Sequence, residues 1–176
     1  VATRKRPNSG ERRVQILQVL AEMLQQPGAE RVTTAALAAR LAVSEAALYR
    51  HFASKAQMFE ALIDFIESSV FGLINQIGER EPAGRARAAR IVAMVLQFGE
   101  KNPGMARVMV GDALVFEHQR LQQRMNQFFD KLDAALRQSL RDGALADAAE
   151  PATLTPDADA RVRASVLTAF VAGRLQ

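Results

Sequence analysis

The sequence predicts an all-α protein in two parts, a head of three helices followed by an all-helical body. Two observations carry that reading. Apolar residues recur at helical spacing along most of the 176 residues, and no segment alternates as a strand should. The segments are separated by Pro and Gly breaks or by residues that cap helices. Two of the helical patterns and the start of a third share the stretch "TTAALAARLAVSEAALYRHFASK", Thr33 to Lys55.

Helix one is expected from about Glu11 to Gln26, with Ile16, Leu17, Leu20, Met23 and Leu24 on one face and Pro27 and Gly28 as its stop. Helix two opens at Thr33 or Thr34, either of which can cap it, and carries Leu37 and Leu41 inward. After a short turn at Ala42 and Val43, Ser44 caps helix three, and Glu45 sits favourably at its positive end. Helix three runs to about Phe52. Ser54 and Gln57 form a capping box that starts a long helix four, ending near Glu79.

Pro82 and Gly84 break the chain before helix five, about Arg85 to Lys101, which Asn102 and Pro103 end. A short helix six is expected from Gly104 to about Gly111. Helix seven carries one stripe of Leu121, Met125, Phe128, Leu132, Leu136 and Leu140 up to Arg141. A polar connection, "DGALADAAEPATLTPDAD", leads to helix eight, with Thr155 as cap and Pro156 as its first residue. Helix eight shows no stop signal at Gln176, so the natural chain is expected to continue. The division expected is residues 1–55 as a helix-turn-helix DNA-binding domain with a basic N-terminal arm, and 56–176 as a dimerising and partner-binding domain, incomplete at its C-terminus.

Composition excludes several classes. The chain is 49% apolar and 24% charged, the balance of a globular protein, and with no cysteine it has no disulfide or thiolate chemistry. Its apolar runs, such as Ile91 to Leu96, are far shorter than a membrane span, and the basic start "VATRKRPNSGERR" has no apolar segment behind it as a secretory signal would. A cytoplasmic location is expected. Its two histidines, His51 and His118, have no metal-ligand spacing, and there is no phosphate-cradling glycine loop or nucleophile motif. No enzyme, metal or cofactor is expected.

Charge divides sharply at Lys55. Up to that residue nine Lys and Arg face four Glu, a net of +5, whereas the rest carries 14 basic and 15 acidic residues, a net of −1. The excess coincides with two short helices on a tight turn, a rigid corner whose second helix can enter the DNA major groove. Leu37, Ala38, Leu41, Val43 and Leu48 lock that corner, while Ala46 and Ala47 keep the exposed side of helix three low enough to approach base edges. Ser44, Ala46, Tyr49 and Arg50 fall near its outward face, with His51 following.

The segment "VTTAALAARLAVSEAALYRHFASKAQMFEAL" resembles the DNA-binding head of the TetR family. The "LYRHF" core, the Ser-Lys start of helix four and the helical remainder all match. The resemblance implies that Thr33, Thr34, Ser44, Tyr49, Arg50, His51 and Lys55 lie at double-stranded DNA, a near-palindromic site read by a homodimer. Thr33, Thr34, Tyr49, His51 and Lys55 are assigned to phosphates, and Ser44, Ala46 and Arg50 to base edges. The "TRKR" arm is a further candidate for backbone or minor-groove contact.

Most of the family are repressors released by a small ligand, and that is the alternative reading. The body, "FGEKNPGMARVMVGDALVFEHQRLQQRMNQFFDKLDAALRQSLR", instead resembles the nucleoid occlusion factors within that family, which bind chromosomal sites and antagonise the division protein FtsZ. That resemblance implies an FtsZ contact on helices four and five, with Phe65, Met94, Lys101 and Asn102 as candidates. Leu73 and Gln97 depart from the expected character of that surface. From spacing, Phe59, Leu62, Ile66, Val70 and Leu73 form the inner face of helix four, with Ile63 and Phe65 at its margins. Phe65, Met94 and Phe98 are as compatible with core packing as with a binding face. Val162, Val166, Ala169, Phe170 and Gly173 form the candidate dimer stripe on helix eight, a stripe equally compatible with internal packing.

Overall fold

The structure, a computed structural model, describes residues 9–26, 31–146 and 155–176. Among these the elements are α1 (Ser9–Leu24), α2 (Thr34–Arg40), α3 (Glu45–Tyr49), α4 (Lys55–Arg80), α5 (Gly84–Lys101), α6 (Pro103–Met109), a 3-10 turn (Asp112–Leu114), α7 (Gln119–Ala146) and α8 (Pro156–Leu175), with no strand. The basic arm, the Pro27–Gly28 stop and residues 147–154 of the polar connection lie outside the described residues.

The caps form where hydroxyl residues precede an apolar period. Thr33, Ser44, Ser54 and Thr155 each accept a hydrogen bond from the backbone N–H three residues on, satisfying donors that a helix start leaves unpaired. At α4 the reciprocal half of the capping box is displaced by one residue. The Gln57 amide oxygen accepts from the Ala53 N–H at 3.0 Å rather than from that of Ser54. Helix seven runs to Ala146, past its expected end at Arg141. Asp142, Gly143 and Ala144 offer no helix-stopping proline, and Gly143 lies against the backbone of Gly84 and Arg85.

One apolar cluster runs from Ile16, Leu20 and Leu24 of α1 through Phe52, Phe59, Ile66 and Val70 to Val95, Phe128, Leu132 and Val171. Burying one such Leu or Phe contributes roughly 1.5–3 kcal/mol, so head and body share a stabilising interior. The inner face of α4 differs from the one read by spacing. Ile63 is completely buried while Leu73 is 38% exposed. The buried stripe is Met58, Phe59, Leu62, Ile63, Ile66, Val70 and Ile74, because α4 packs against four elements, α1, α5, α6 and α7.

Head and body also meet where α1 crosses α6. A Cβ on Gly104 would collide with the Ala21 carbonyl oxygen, so glycine permits the close approach. Arg107 then donates to the Leu24 carbonyl at 2.8 Å, satisfying an orphan acceptor at the end of α1. Along the other side, ion pairs join α4 to α7 and to the segment just before it. Lys55 pairs with Glu117, Glu60 with Arg120 at 2.7 Å, and Asp64 and Glu67 with Arg124 at 2.9 and 2.6 Å. Burial alone would lower the pKa of Arg124, but these two carboxylates hold it above the ordinary guanidinium value.

Candidate nucleic-acid interface

The α2–α3 corner is built by backbone bonds and small residues. The Ala42 and Val43 N–H groups donate to the Ala39 and Ala38 carbonyls at 3.1 and 3.0 Å. Ala42 makes the turn with a φ of 54°, a left-handed conformation that costs an alanine about 1–2 kcal/mol. Leu37, Ala38 and Leu48 are buried beneath it, with Leu41 and Val43 packed at the margin. Thr34 at the start of α2 donates its hydroxyl proton to the Glu45 carboxylate at the start of α3, 2.6 Å away, which fastens the two helices together.

The resulting outer surface carries most of the expected contacts. Thr33, Ser44, Ala46, Tyr49 and Arg50 are exposed and His51 is half-buried. Thr33 and Ser44 use an oxygen lone pair for the cap, so each hydroxyl proton remains for an outside acceptor such as a phosphate. Tyr49 is 46% exposed despite its size.

Two expected contacts are placed otherwise in this conformation. The only hydroxyl proton of Thr34 goes to Glu45, so the residue has none to offer a phosphate and its role here is to join α2 to α3. The Lys55 ammonium is paired with Glu117, whose side chain is 9% exposed, so it faces the body rather than standing free. Sequence spacing did not reveal either partner, because Glu45 meets Thr34 across the α2–α3 turn and Glu117 meets Lys55 across 62 positions of chain.

Arg12 and Arg13 also belong to this end of the molecule and were missed. Arg13 donates to the His51 carbonyl and lies 4.1 Å from the centroid of the Phe52 ring. Arg12 lines a crevice of about 380 Å³ between α1 and α3, together with Arg50 and His51. In the sequence they counted only toward the basic excess of the head, at the start of helix one.

The body presents two further surfaces. On α4, Phe65 stands 49% exposed, outside the core. Met94 and Phe98 are partly buried against the core, Lys101 is exposed at the end of α5, and Asn102 donates its side-chain amide to the Phe98 carbonyl at 2.8 Å. On α8 the core takes Ala160, Ala164 and Val171, with Leu167 and Leu175 alongside. The opposite face carries Val162, Val166 and Phe170 at 56%, 62% and 50% exposure, with Ala169 and Gly173 also exposed. Internal packing therefore does not account for that stripe within one chain. His118 accepts from the Arg120 N–H at 3.2 Å, capping the start of α7.

Comparison with known proteins follows both parts. A family model described as bacterial regulatory proteins, tetR family, matches residues 16–62, and one described as tetracyclin repressor-like, C-terminal domain, of the SlmA-like type, matches residues 84–176. The nucleoid occlusion factor SlmA of Aliivibrio fischeri (strain MJ11) is 50% identical over 143 residues, covering 81% of this chain and 71% of that protein. The SlmA of Citrobacter koseri is 49% identical over 165 residues, covering 93% and 81%. Among solved structures, a TetR transcriptional regulator from Legionella pneumophila superposes with a TM-score of 0.68 at 15% identity, covering 98% of this chain and 87% of that one. A gamma-butyrolactone receptor gives 0.68 at 17%, covering 96% and 82%. At such identities the structural likeness speaks for the fold.

Proposed function

The chain belongs to the TetR family of bacterial regulatory proteins, among the nucleoid occlusion factors SlmA, and from that premise we propose that it binds specific chromosomal sites as a homodimer and, while bound, antagonises assembly of the FtsZ ring. The head through Lys55 is the DNA anchor, and the helices after it are the dimerising and partner-binding part. Thr33, Ser44, Tyr49, Arg50 and His51 face the duplex, Thr33, Tyr49 and His51 on phosphates, Ser44 and Arg50 on base edges, and Ala46 by contact with a base methyl. Thr34 and Lys55 join them only after giving up Glu45 and Glu117.

The observation that carries the FtsZ reading is Phe65. A large aromatic stands half exposed on α4, the helix that begins at the DNA end with Lys55 and spans roughly 39 Å at 1.5 Å per residue. One rigid element thus links the anchor to an apolar anchor point for a partner, with Met94, Lys101 and Asn102 proposed beside it. Exposed aromatics of this kind are common centres of protein recognition. The outward stripe of α8 supplies the dimer contact, which places two heads on successive half-sites.

No observation favours the ligand-released repressor. Within the body Phe128 is completely buried, its ring 5.3 Å from those of both Phe71 and Phe129. The test is to select duplexes that the protein binds from a random pool, then add the selected duplex and the protein to polymerising FtsZ. Polymer sedimentation is expected to fall only when that DNA is present. An unchanged pellet at saturating DNA rejects the proposal.

A further inference from the structure

We propose that Arg12 and His51, in the crevice whose edge also carries the base-reading Arg50, form a seat for one phosphodiester of the DNA backbone and its deoxyribose; this rests on the DNA-binding reading above. Three cationic or ionisable side chains from α1 and the end of α3 converge on a single crevice of about 380 Å³. They are available. The Arg50 guanidinium and the His51 ring have no hydrogen bond or ion pair among the described residues, and Arg12 spends one N–H on Gln15 at 2.8 Å, leaving most of its five donors.

The floor of the crevice selects the occupant. Besides Arg12, Arg50 and His51 its lining is wholly apolar, with the fully buried Ile16 and Leu48 joined by Leu41, Val43 and Ala47. A small free anion has nothing to gain from an apolar floor, because its remaining oxygens lose water there without compensation. A backbone diester attached to a sugar presents charge at one end and C–H surface at the other, which is the polarity the crevice offers.

Arg12 and Arg13 divide the work, because successive residues on a helix point about 100° apart. Arg13, itself exposed, is committed to the His51 carbonyl and the Phe52 ring, and this fastens α1 to the end of α3. Arg12, half-buried, is thereby held in the crevice wall with Arg50 and His51. A contact of this kind adds affinity without reading sequence.

The experiment uses a fluorescent duplex of mixed sequence, with anisotropy measured over a series of salt concentrations. Arg12→Gln is expected to weaken binding about tenfold, the scale of one charge-assisted hydrogen bond. The slope of log affinity against log salt should fall by about 0.9, the share of one phosphate. Arg12→Lys should restore the slope, and thermal melting should be unchanged in both variants. Wild type that binds while Arg12→Gln keeps its affinity and slope overturns this inference alone. Wild type that binds no duplex at any salt overturns the DNA reading and the inference with it. His51 is one of only two histidines, so its ring resonance provides a second readout. A shift on adding duplex, absent with inorganic phosphate alone, supports a backbone seat, and an equal shift with inorganic phosphate overturns it in favour of a free anion.

Discussion

Lys55 and Glu117 stand 62 positions apart in sequence and form an ion pair that ties the first residue of α4 to the segment before α7. The Lys55 side chain is 23% exposed and that of Glu117 only 9%, so the carboxylate depends on this cation more than the cation depends on it. A DNA phosphate and Glu117 compete for the same ammonium. Glu117→Gln is therefore expected to tighten duplex binding by up to about fivefold, the range of a partly exposed ion pair. Lys55→Met, which strands the carboxylate, should lower stability by about 1–3 kcal/mol. Anisotropy and urea melts check the two arms, and a Glu117→Gln variant that binds more weakly than wild type rejects the competition.

The caps and the outward aromatic separate stability from binding. Thr33→Ala and Ser44→Ala each remove a cap bond and should cost about 1 kcal/mol of stability as well as DNA affinity. Tyr49→Ala, at a side chain 46% exposed, should reduce DNA affinity while the melting temperature holds. Equal losses of stability in all three variants would mean that Tyr49 is structural.

Ala42 occupies a left-handed conformation that glycine adopts without the Cβ clash. Ala42→Gly relieves that strain but adds freedom to the unfolded chain, and the balance is expected to raise stability by up to about 1 kcal/mol. Denaturant titration measures it, and a loss of stability would show that the φ seen here is not strained.

Phe65→Ala removes a side chain that is half outside the fold. The variant should melt within about 0.5 kcal/mol of wild type, retain its DNA affinity and lose its effect on FtsZ polymers in the sedimentation assay. An unfolded variant would return Phe65 to the core.

Val166 is 62% exposed at the middle of the outward stripe of α8. Val166→Glu should leave circular dichroism unchanged, convert the dimer to monomer in sedimentation equilibrium, and weaken binding to a two-half-site duplex far more than to a single half-site. A variant that stays dimeric moves the interface elsewhere.

Much of this architecture is legible in the amino-acid sequence. Every helix was expected near where it lies because caps and breaks are local signals: Thr33, Ser44, Ser54 and Thr155 each act within three residues of themselves. The family, too, was readable from the head and body segments. Burial was less so. Spacing left Ile63 at a margin and Leu73 inside, and the order is reversed, since α4 touches neighbours on several sides and a single-stripe rule assumes one.

What local chemistry settles in this chain is therefore the run of helices, their starts, the tight corner of α2 and α3 and the basic character of the head. Those follow from backbone hydrogen bonding and charge counted along the chain. The partners of those residues are a property of the folded molecule alone. That Thr34 is held by Glu45, Lys55 by Glu117, and Arg13 by His51 while Arg12 faces a crevice, depends on chain segments that only packing brings within hydrogen-bond reach. The same holds for the two apolar faces of α8, of which the interior takes one and leaves Val162, Val166 and Phe170 exposed.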